Sequence, residues 1–161
     1  MKNVTVVSHK QRLDALFNKI NALNQGADDQ ELIAHWSRYL CVLVSGFLET
    51  SVQTIISAYV LSRTRPEVAK FVNAKMCTFT NAKMEKILQL AGEFDHELRK
   101  RLDEETKGEL KAAVDSVVTN RHQIAHGRDV QISFVQMKKY YHSVLKVVEI
   151  LEQYFPGKEE R

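Results

Sequence analysis

The chain has 161 residues, of which 44% are hydrophobic and 27% charged. This length is typical of one domain and this composition of a chain with a packed core, so an intrinsically disordered protein is excluded. Only six glycines and two prolines are present, too few for the many tight turns of a β-sandwich or barrel. A formal net charge of +3 is too small to indicate a partner by itself. We expect a single domain over residues 1–161.

Two features of the sequence concern the cellular compartment. The N-terminus lacks the long apolar segment of a secretory signal, and the longest purely apolar run, Leu40–Val44, is far shorter than the ~20 residues that span a bilayer. Cys41 and Cys77 lie in apolar stretches at no metal-ligand spacing, which favours buried free thiols in a reducing environment. The sequence therefore predicts a cytoplasmic protein with no membrane segment.

Helical periodicity begins near the N-terminus. Apolar residues recur at every third or fourth position over Lys10–Leu23, and Asn24–Gly26 ends this pattern. Asp28 or Asp29 is suited to cap the helix that follows. Val4–Ser8, before the first predicted helix, can be extended, but one short segment does not make a sheet.

The second apolar stripe is much longer than the first. It continues from Leu32 to Leu61 without a proline, which predicts one helix of roughly 30 residues. Pro66 then starts a shorter helix that continues over Glu67–Met76, because the missing N–H of proline costs nothing in a first helical turn. Thr80 or Asn81 is expected to begin another helix.

The rest of the chain is helical in pattern as well. Gly92 is expected to break the preceding helix, and Phe94–Leu102 has the spacing of one or two amphipathic turns. A further helix is predicted over Thr106–His126, with Gly127 as its left-handed C-terminal stop. Ser133, followed three residues later by glutamine, caps the last helix. We therefore predict an all-α fold, an antiparallel up-and-down bundle with one long helix and short extra helices.

Most enzyme signatures with specific spacing are absent from the sequence. There is no glycine-rich phosphate loop, no nucleophile elbow and no Cys-x-x-Cys pair. His122 and His126 have the i, i+4 spacing of zincin ligands, but Gln123 replaces the general-base glutamate of that motif and no third ligand is evident. We predict neither a metal site nor a cofactor.

The same stretch contains an Arg-x4-His pair. Arg121 and His126 stand at the predicted end of a helix, with the polar residue His122 after the arginine and Gly127 after the histidine. With this motif before the last helix, and with Glu49 inside the long second helix, the sequence resembles the HEPN superfamily, most closely its RiboL-PSP-HEPN branch. The resemblance extends over nearly the whole chain.

The resemblance implies metal-independent RNA cleavage in bacterial defence or toxin systems. It implies a homodimer whose two motifs line one cleft, RNA as substrate, and an antitoxin or another neighbouring-gene product as a candidate partner. Arg121 and His126 would be catalytic, with His122, Glu49 and Asn120 in supporting positions. Family members that are silenced by adenylylation carry a tyrosine two residues after the histidine. This chain has Arg128 there, so the resemblance does not extend to that modification.

The chemistry of these residue types agrees with RNA cleavage. RNA carries its own nucleophile, the 2′-hydroxyl, so the protein needs only to move protons and to stabilise charge on the phosphate. Histidine exchanges protons near neutral pH, and arginine binds two phosphate oxygens at once. Arg121 and His126 are ~140° apart around an ideal helix. They can converge only if the helix ends before His126 or if a second subunit supplies partners.

Each of these residues also has a structural interpretation. His126 can be a simple helix C-cap, and Arg121 can form a buried ion pair with Glu49. Basic residues that can attract RNA, or can form an ordinary solvated face, are Arg63, Arg65, Lys70, Lys75 and Arg128. The alternative to a ribonuclease is a non-catalytic helical module that binds a nucleotide or a partner protein.

Overall fold

The computed structural model describes residues 1, 3–26 and 30–157, and these residues form seven α-helices and no strand. This confirms the predicted all-α fold. In chain order the helices are α1 (Val4–Gly26), α2 (Gln30–Leu61), α3 (Pro66–Met76), α4 (Met84–Phe94), α5 (His96–Thr106), α6 (Glu109–Ala125) and α7 (Phe134–Tyr154).

The long helix α2 lies at the centre of the bundle and packs against α1, α3, α6 and α7. Helix α1 is antiparallel to α7. The ring of Phe17 stacks on that of Tyr141 with centroids 4.5 Å apart, while the Asn3 N–H donates to Glu152 Oε1 at 3.1 Å near the opposite ends. Helices α1, α2, α6 and α7 thus form the up-and-down bundle, and α3, α4 and α5 are the short extra helices.

The buried apolar side chains form one cluster, to which α2 contributes most. Among the described residues, α2 is also the one helix long and apolar enough to cross a membrane, with a window of mean hydropathy 1.5. More than half of that window, 56%, is buried inside the bundle. This burial is the pattern of the core helix of a soluble domain.

The first helix begins earlier than the sequence predicts. Val4–Ser8 is helical and not extended, because the Asn3 side chain accepts a hydrogen bond from the Thr5 N–H at 3.0 Å and caps the helix. Val6 is only 2% exposed. Burial in the bundle therefore outweighs the modest helix propensity of the β-branched residues. Asp28 and Asp29, the predicted caps of α2, lie outside the described residues.

The α3–α4–α5 region differs from the prediction in three respects. Gly92 does not end α4, which continues to Phe94. Phe94–Leu102 is not one or two turns, because Asp95 caps α5 by accepting from the Glu97 N–H at 2.8 Å and supports an 11-residue helix. Since α5 occupies Thr106, the helix predicted from that residue begins at Glu109.

Neither Thr80 nor Asn81 begins α4. The N-cap residue is Lys83, whose side chain makes no capping hydrogen bond. Asp115 of α6 caps α4 instead, because its Oδ1 accepts a hydrogen bond from the Met84 N–H at 2.8 Å. Pro66 in the first turn of α3 and Ser133 as N-cap of α7 are confirmed.

The two cysteines have different environments. Cys41 is fully buried in α2, as predicted, but Cys77 is exposed just after the end of α3. The helix ends at Met76, and the chain after it turns outward before Phe79 returns to the core. The prediction of a buried thiol at Cys77 is therefore wrong.

Candidate functional site

The C-terminal end of α6 is closed by a Schellman motif. The Gly127 N–H donates to the Ile124 carbonyl and the Arg128 N–H to the Gln123 carbonyl, both at 3.0 Å. Gly127 has a φ of +70°, which confirms it as the left-handed stop. His126 is the C-cap residue, with φ −92° and ψ 13°. Its backbone position is fixed by hydrogen bonds while its side chain lies outside the regular helix.

Two histidine side chains lie next to each other at this helix end. The ring centroids of His122 and His126 are 4.4 Å apart and the rings meet edge to face at 65°. Both residues are exposed. Neither imidazole forms a hydrogen bond or ion pair with any part of the chain that the structure describes. Their four ring nitrogens are therefore free to exchange protons or to bind a ligand.

Arg121 has a different environment from the two histidines. It follows Val114 and Val117 by seven and four residues, and both valines are fully buried, so Arg121 extends the core-facing stripe of α6 to its end. The residue is half-buried. Its guanidinium makes no ion pair within the described residues. A cation at this helix end is favoured by the dipole of α6 and remains free for an external anion.

Helix α2 supports the motif through Cys41. The Cys41 thiol donates to the Val117 carbonyl at 3.5 Å, exactly one helical turn before Arg121. Burial raises the pKa of this thiol to about 11, an effect that is opposed in part by the Arg121 backbone N–H. The neutral sulfur therefore packs against the middle of α6, about one turn before the motif begins at Arg121.

A contact that the sequence did not reveal supports the connector after the motif. Arg38 of α2 donates through Nη1 to Asp129 Oδ1 at 2.9 Å, and Asp129 Oδ2 accepts from Gln131 at 2.7 Å. Arg38 and Asp129 are separated by 91 residues, and no local spacing signals a pair so far apart. This ion pair holds the chain beyond His126 against α2.

Glu49 does not reach the motif. Its Oε1 accepts from the Asn81 N–H at 2.6 Å, so it anchors the loop before α4. It follows Arg38, which pairs with Asp129 just beyond the end of α6, by eleven residues, or about 16 Å along α2. The alternative of a Glu49–Arg121 ion pair is therefore wrong for the structure described. Asn120 is half-buried beside Arg121.

The predicted basic residues occupy two separate places. Arg63 donates to the Pro156 carbonyl at 2.7 Å and stacks over the Tyr59 ring at 4.2 Å, so it joins the end of α2 to the C-terminal segment. Arg65, Lys70 and Lys75 lie at the start of α3 or along it, and Lys70 borders a groove of about 630 Å³ between α2 and α3.

This basic group is distant from the Arg-x4-His motif. Arg63 follows Cys41 by 22 residues of the chain, which corresponds to about 33 Å at the rise of an α-helix. Arg128 alone among the predicted RNA-binding residues lies next to His126, in the Schellman turn. The structure thus brings Arg121, His122, His126 and Arg128 to one end of the bundle and leaves the α3 cations at the other.

No group of three or more histidine, cysteine, aspartate or glutamate side chains that could hold a metal ion is present in residues 1, 3–26 and 30–157. The acidic residues nearest the motif in sequence are engaged elsewhere. Asp115 caps α4 and Asp129 pairs with Arg38. The donor set around the motif is therefore cationic and imidazole-based, and its carboxylates are committed to structural contacts.

These observations define an all-helical domain with a polar motif at an exposed helix end. Comparison with protein families identifies it further: the model of the RiboL-PSP-HEPN family matches residues 8–156. The chain belongs to that family. No curated protein and no solved structure matches the chain significantly.

Proposed function

We propose that the protein is a metal-independent endoribonuclease with its active centre at the end of α6. The observation that supports this proposal is the set of three side chains, Arg121, His122 and His126, whose nitrogens have no partner among the described residues although they lie together at one helix end. Cationic and imidazole groups left free in this way are suited to a phosphate and to proton transfer.

In the proposed reaction, His126 accepts the proton of the RNA 2′-hydroxyl. The 2′-oxygen then forms a bond to phosphorus, and the bond from phosphorus to the 5′-oxygen breaks. Arg121 binds the non-bridging oxygens, where negative charge develops, and a protonated histidine donates a proton to the leaving 5′-oxygen. The products are a 2′,3′-cyclic phosphate and a 5′-hydroxyl.

The reaction places a base and an acid on opposite sides of the phosphorus. A homodimer with two-fold symmetry supplies both, because it brings two copies of the motif to one cleft. We propose this homodimer as the active form and place it in the cytoplasm, in a defence or toxin system. An antitoxin or another neighbouring-gene product is its proposed partner.

The decisive experiment compares wild type with Arg121→Ala and His126→Ala on a labelled RNA and a DNA of the same sequence. His142→Ala is a matched control, since His142 is an exposed histidine on α7 away from the motif. We expect wild type and the control to cleave RNA and to spare DNA, and both motif variants to be inactive. RNA that remains intact with wild type but is retained in a complex would instead favour the non-catalytic binding module.

A further inference from the structure

The His122–His126 pair has the properties of a metal chelate. The chain has six histidines, and these two are the one pair within five residues of each other. Two other exposed imidazoles have partners: His142 Nδ1 lies 2.7 Å from the Lys138 carbonyl and His35 lies 3.9 Å from Glu31. In the part of the chain that the structure describes, the His122 and His126 rings make a ring contact with each other and no hydrogen bond or ion pair.

The distance between the rings agrees with chelation. A divalent ion ~2.1 Å from an imidazole nitrogen is about 3.2 Å from the centre of that ring, so two such ligands at near-tetrahedral angles have centroids roughly 5 Å apart. The observed centroid separation is 4.4 Å. A small rotation of either exposed side chain closes the difference, and the C-terminal dipole of α6 favours a cation at this position.

We propose that His122 and His126 bind one divalent transition-metal ion, such as Zn²⁺, and that the bound ion inhibits the active centre. Water completes the coordination sphere, because no third protein ligand is available within the described chain. Imidazole nitrogen prefers Zn²⁺, Cu²⁺ and Ni²⁺, whereas Mg²⁺ and Ca²⁺ prefer oxygen ligands. The site is therefore selective for the first group of ions.

Inhibition follows from the chemistry of His126 and rests on the proposed function. The nitrogen lone pair that binds the ion is the one that would accept the proton of the 2′-hydroxyl. An imidazole cannot do both at once. This ion is thus an inhibitor and not a cofactor. The proposal departs from the sequence-based prediction of no metal site, because water takes the positions of the missing third ligand.

The binding part is tested by titrating ZnCl₂ into untagged protein in a calorimeter. The variants are His122→Ala and His126→Ala, with His142→Ala as the control for a single exposed histidine. We expect one Zn²⁺ site in wild type and in the control, an affinity at least ~10-fold lower in both pair variants, and no heat from MgCl₂. Circular dichroism checks that each variant is folded. Equal affinity in wild type and in His122→Ala would overturn the proposal, as would loss of the site in His142→Ala.

The inhibitory part is tested on RNA cleavage by wild type. Cleavage should fall by half at the Zn²⁺ concentration that half-saturates the calorimetric site, and excess EDTA should restore it. Undiminished cleavage at saturating Zn²⁺ would overturn the inhibitory role. A wild type without ribonuclease activity would reject the proposed function, while the titration would still decide whether the metal site exists.

Discussion

The His126 side chain is exposed, has its ring contact with His122 and makes no hydrogen bond among the described residues. Its truncation to alanine therefore removes little packing. We predict that His126→Ala abolishes cleavage but lowers the free energy of unfolding by less than ~1 kcal/mol. Thermal or urea unfolding measured beside RNA cleavage separates the two effects.

Alanine substitutions of core residues should have the opposite effect, a large loss of stability. Val117 and Leu40 are fully buried, and their replacement by alanine should cost roughly 1–5 kcal/mol through the cavity that forms. Leu43 is only partly buried against the core, so it is a poorer control than its apolar position in the sequence indicates. A large loss of stability in His126→Ala, with no wild-type cleavage to lose, would assign the histidine a structural role.

The two cysteines should differ in reactivity. Burial holds the Cys41 thiol neutral by raising its pKa to about 11, whereas Cys77 is exposed. Since the thiolate is the reactive form, we predict that a thiol reagent at pH 8 modifies one cysteine in the folded protein and two in urea. Mass spectrometry should find the label on Cys77. Labelling of Cys41 at a comparable rate in the folded protein would contradict its burial.

The pKa of Cys41 also has a consequence for stability. The folded-state pKa lies above the ordinary value of a cysteine thiol, so folding favours the protonated thiol. The protonated Cys41 thiol therefore adds to the free energy of unfolding. This added stability is fully present below about pH 9 and is lost as the pH rises through about 11. The change is therefore confined to alkaline solution and does not affect the protein near neutral pH.

At the residue scale, the sequence revealed the site only where the signal is local. His126, Gly127 and the capping Ser133 are within a few residues of their partners, and spacing alone predicts their roles. The partners of Glu49 and Arg38 are 32 and 91 residues away. Those contacts depend on how the helices pack, which a single sequence does not specify.

The turn that ends α6 offers a test at the level of an element. Gly127 has a φ of +70° with no atom within 4 Å of an added Cβ, so a substitution there is penalised by backbone conformation and not by crowding. We predict that Gly127→Ala lowers the free energy of unfolding by about 1 kcal/mol and also reduces cleavage, because the turn positions His126. Chemical denaturation and RNA cleavage measure the two effects.

Gly46 is the matched control for that substitution. It lies within α2, and an added Cβ meets nothing within 4 Å. Alanine there should stabilise the protein by roughly 0.5–1 kcal/mol through its better helix propensity. Equal effects of Gly127→Ala and Gly46→Ala would show that the α6 turn is not held in the left-handed conformation.

The helices differ in how far the sequence predicted them. Helix α2 was evident because its apolar stripe is long and contains no proline. The length of α5 was underestimated because its sequence is dense in charge and only Leu102 and Thr106 are buried. Helix α4 continues through Gly92, where an added Cβ would lie 3.1 Å from Arg99 Cδ, so the glycine allows α5 to pack closely and does not end the helix.

At the scale of the whole molecule, the described acidic groups nearest the motif make structural contacts. Asp115 and Glu49 hold the α3–α4 loop, and Asp129 holds the connector after α6. A two-metal nuclease needs several convergent carboxylates. We predict that RNA cleavage proceeds in excess EDTA, leaves 2′,3′-cyclic phosphate ends and spares DNA. Activity that disappears with EDTA and returns with Mg²⁺, or products with 5′-phosphates, would contradict this mechanism.

The assembly is the last property to test, because within one chain the Arg121 side chain does not contact His126 although both lie at the end of α6. No described contact joins the Arg121 guanidinium to His126, whereas the reaction requires an acid and a base around one phosphate. Near Arg38, α2 exposes apolar side chains that a second copy can cover: Tyr39 is 50% exposed and Val42 36%. We predict a homodimer of about 37 kDa, twice the 18.5 kDa of one chain, with the His126 side chains of both subunits facing one cleft.

Sedimentation velocity and RNA cleavage test this dimer together. A charge in the proposed interface, Tyr39→Asp, should weaken dimerisation and lower cleavage in parallel, because an unpaired buried carboxylate is costly. Val68→Asp is the control, since Val68 is 48% exposed on α3, far along α2 from the motif. Both properties should be retained in that variant. If wild type sediments as a monomer at concentrations where it cleaves RNA fully, each chain must contain a complete active centre, and the neighbouring imidazoles of His122 and His126 would then have to act as base and acid within one subunit.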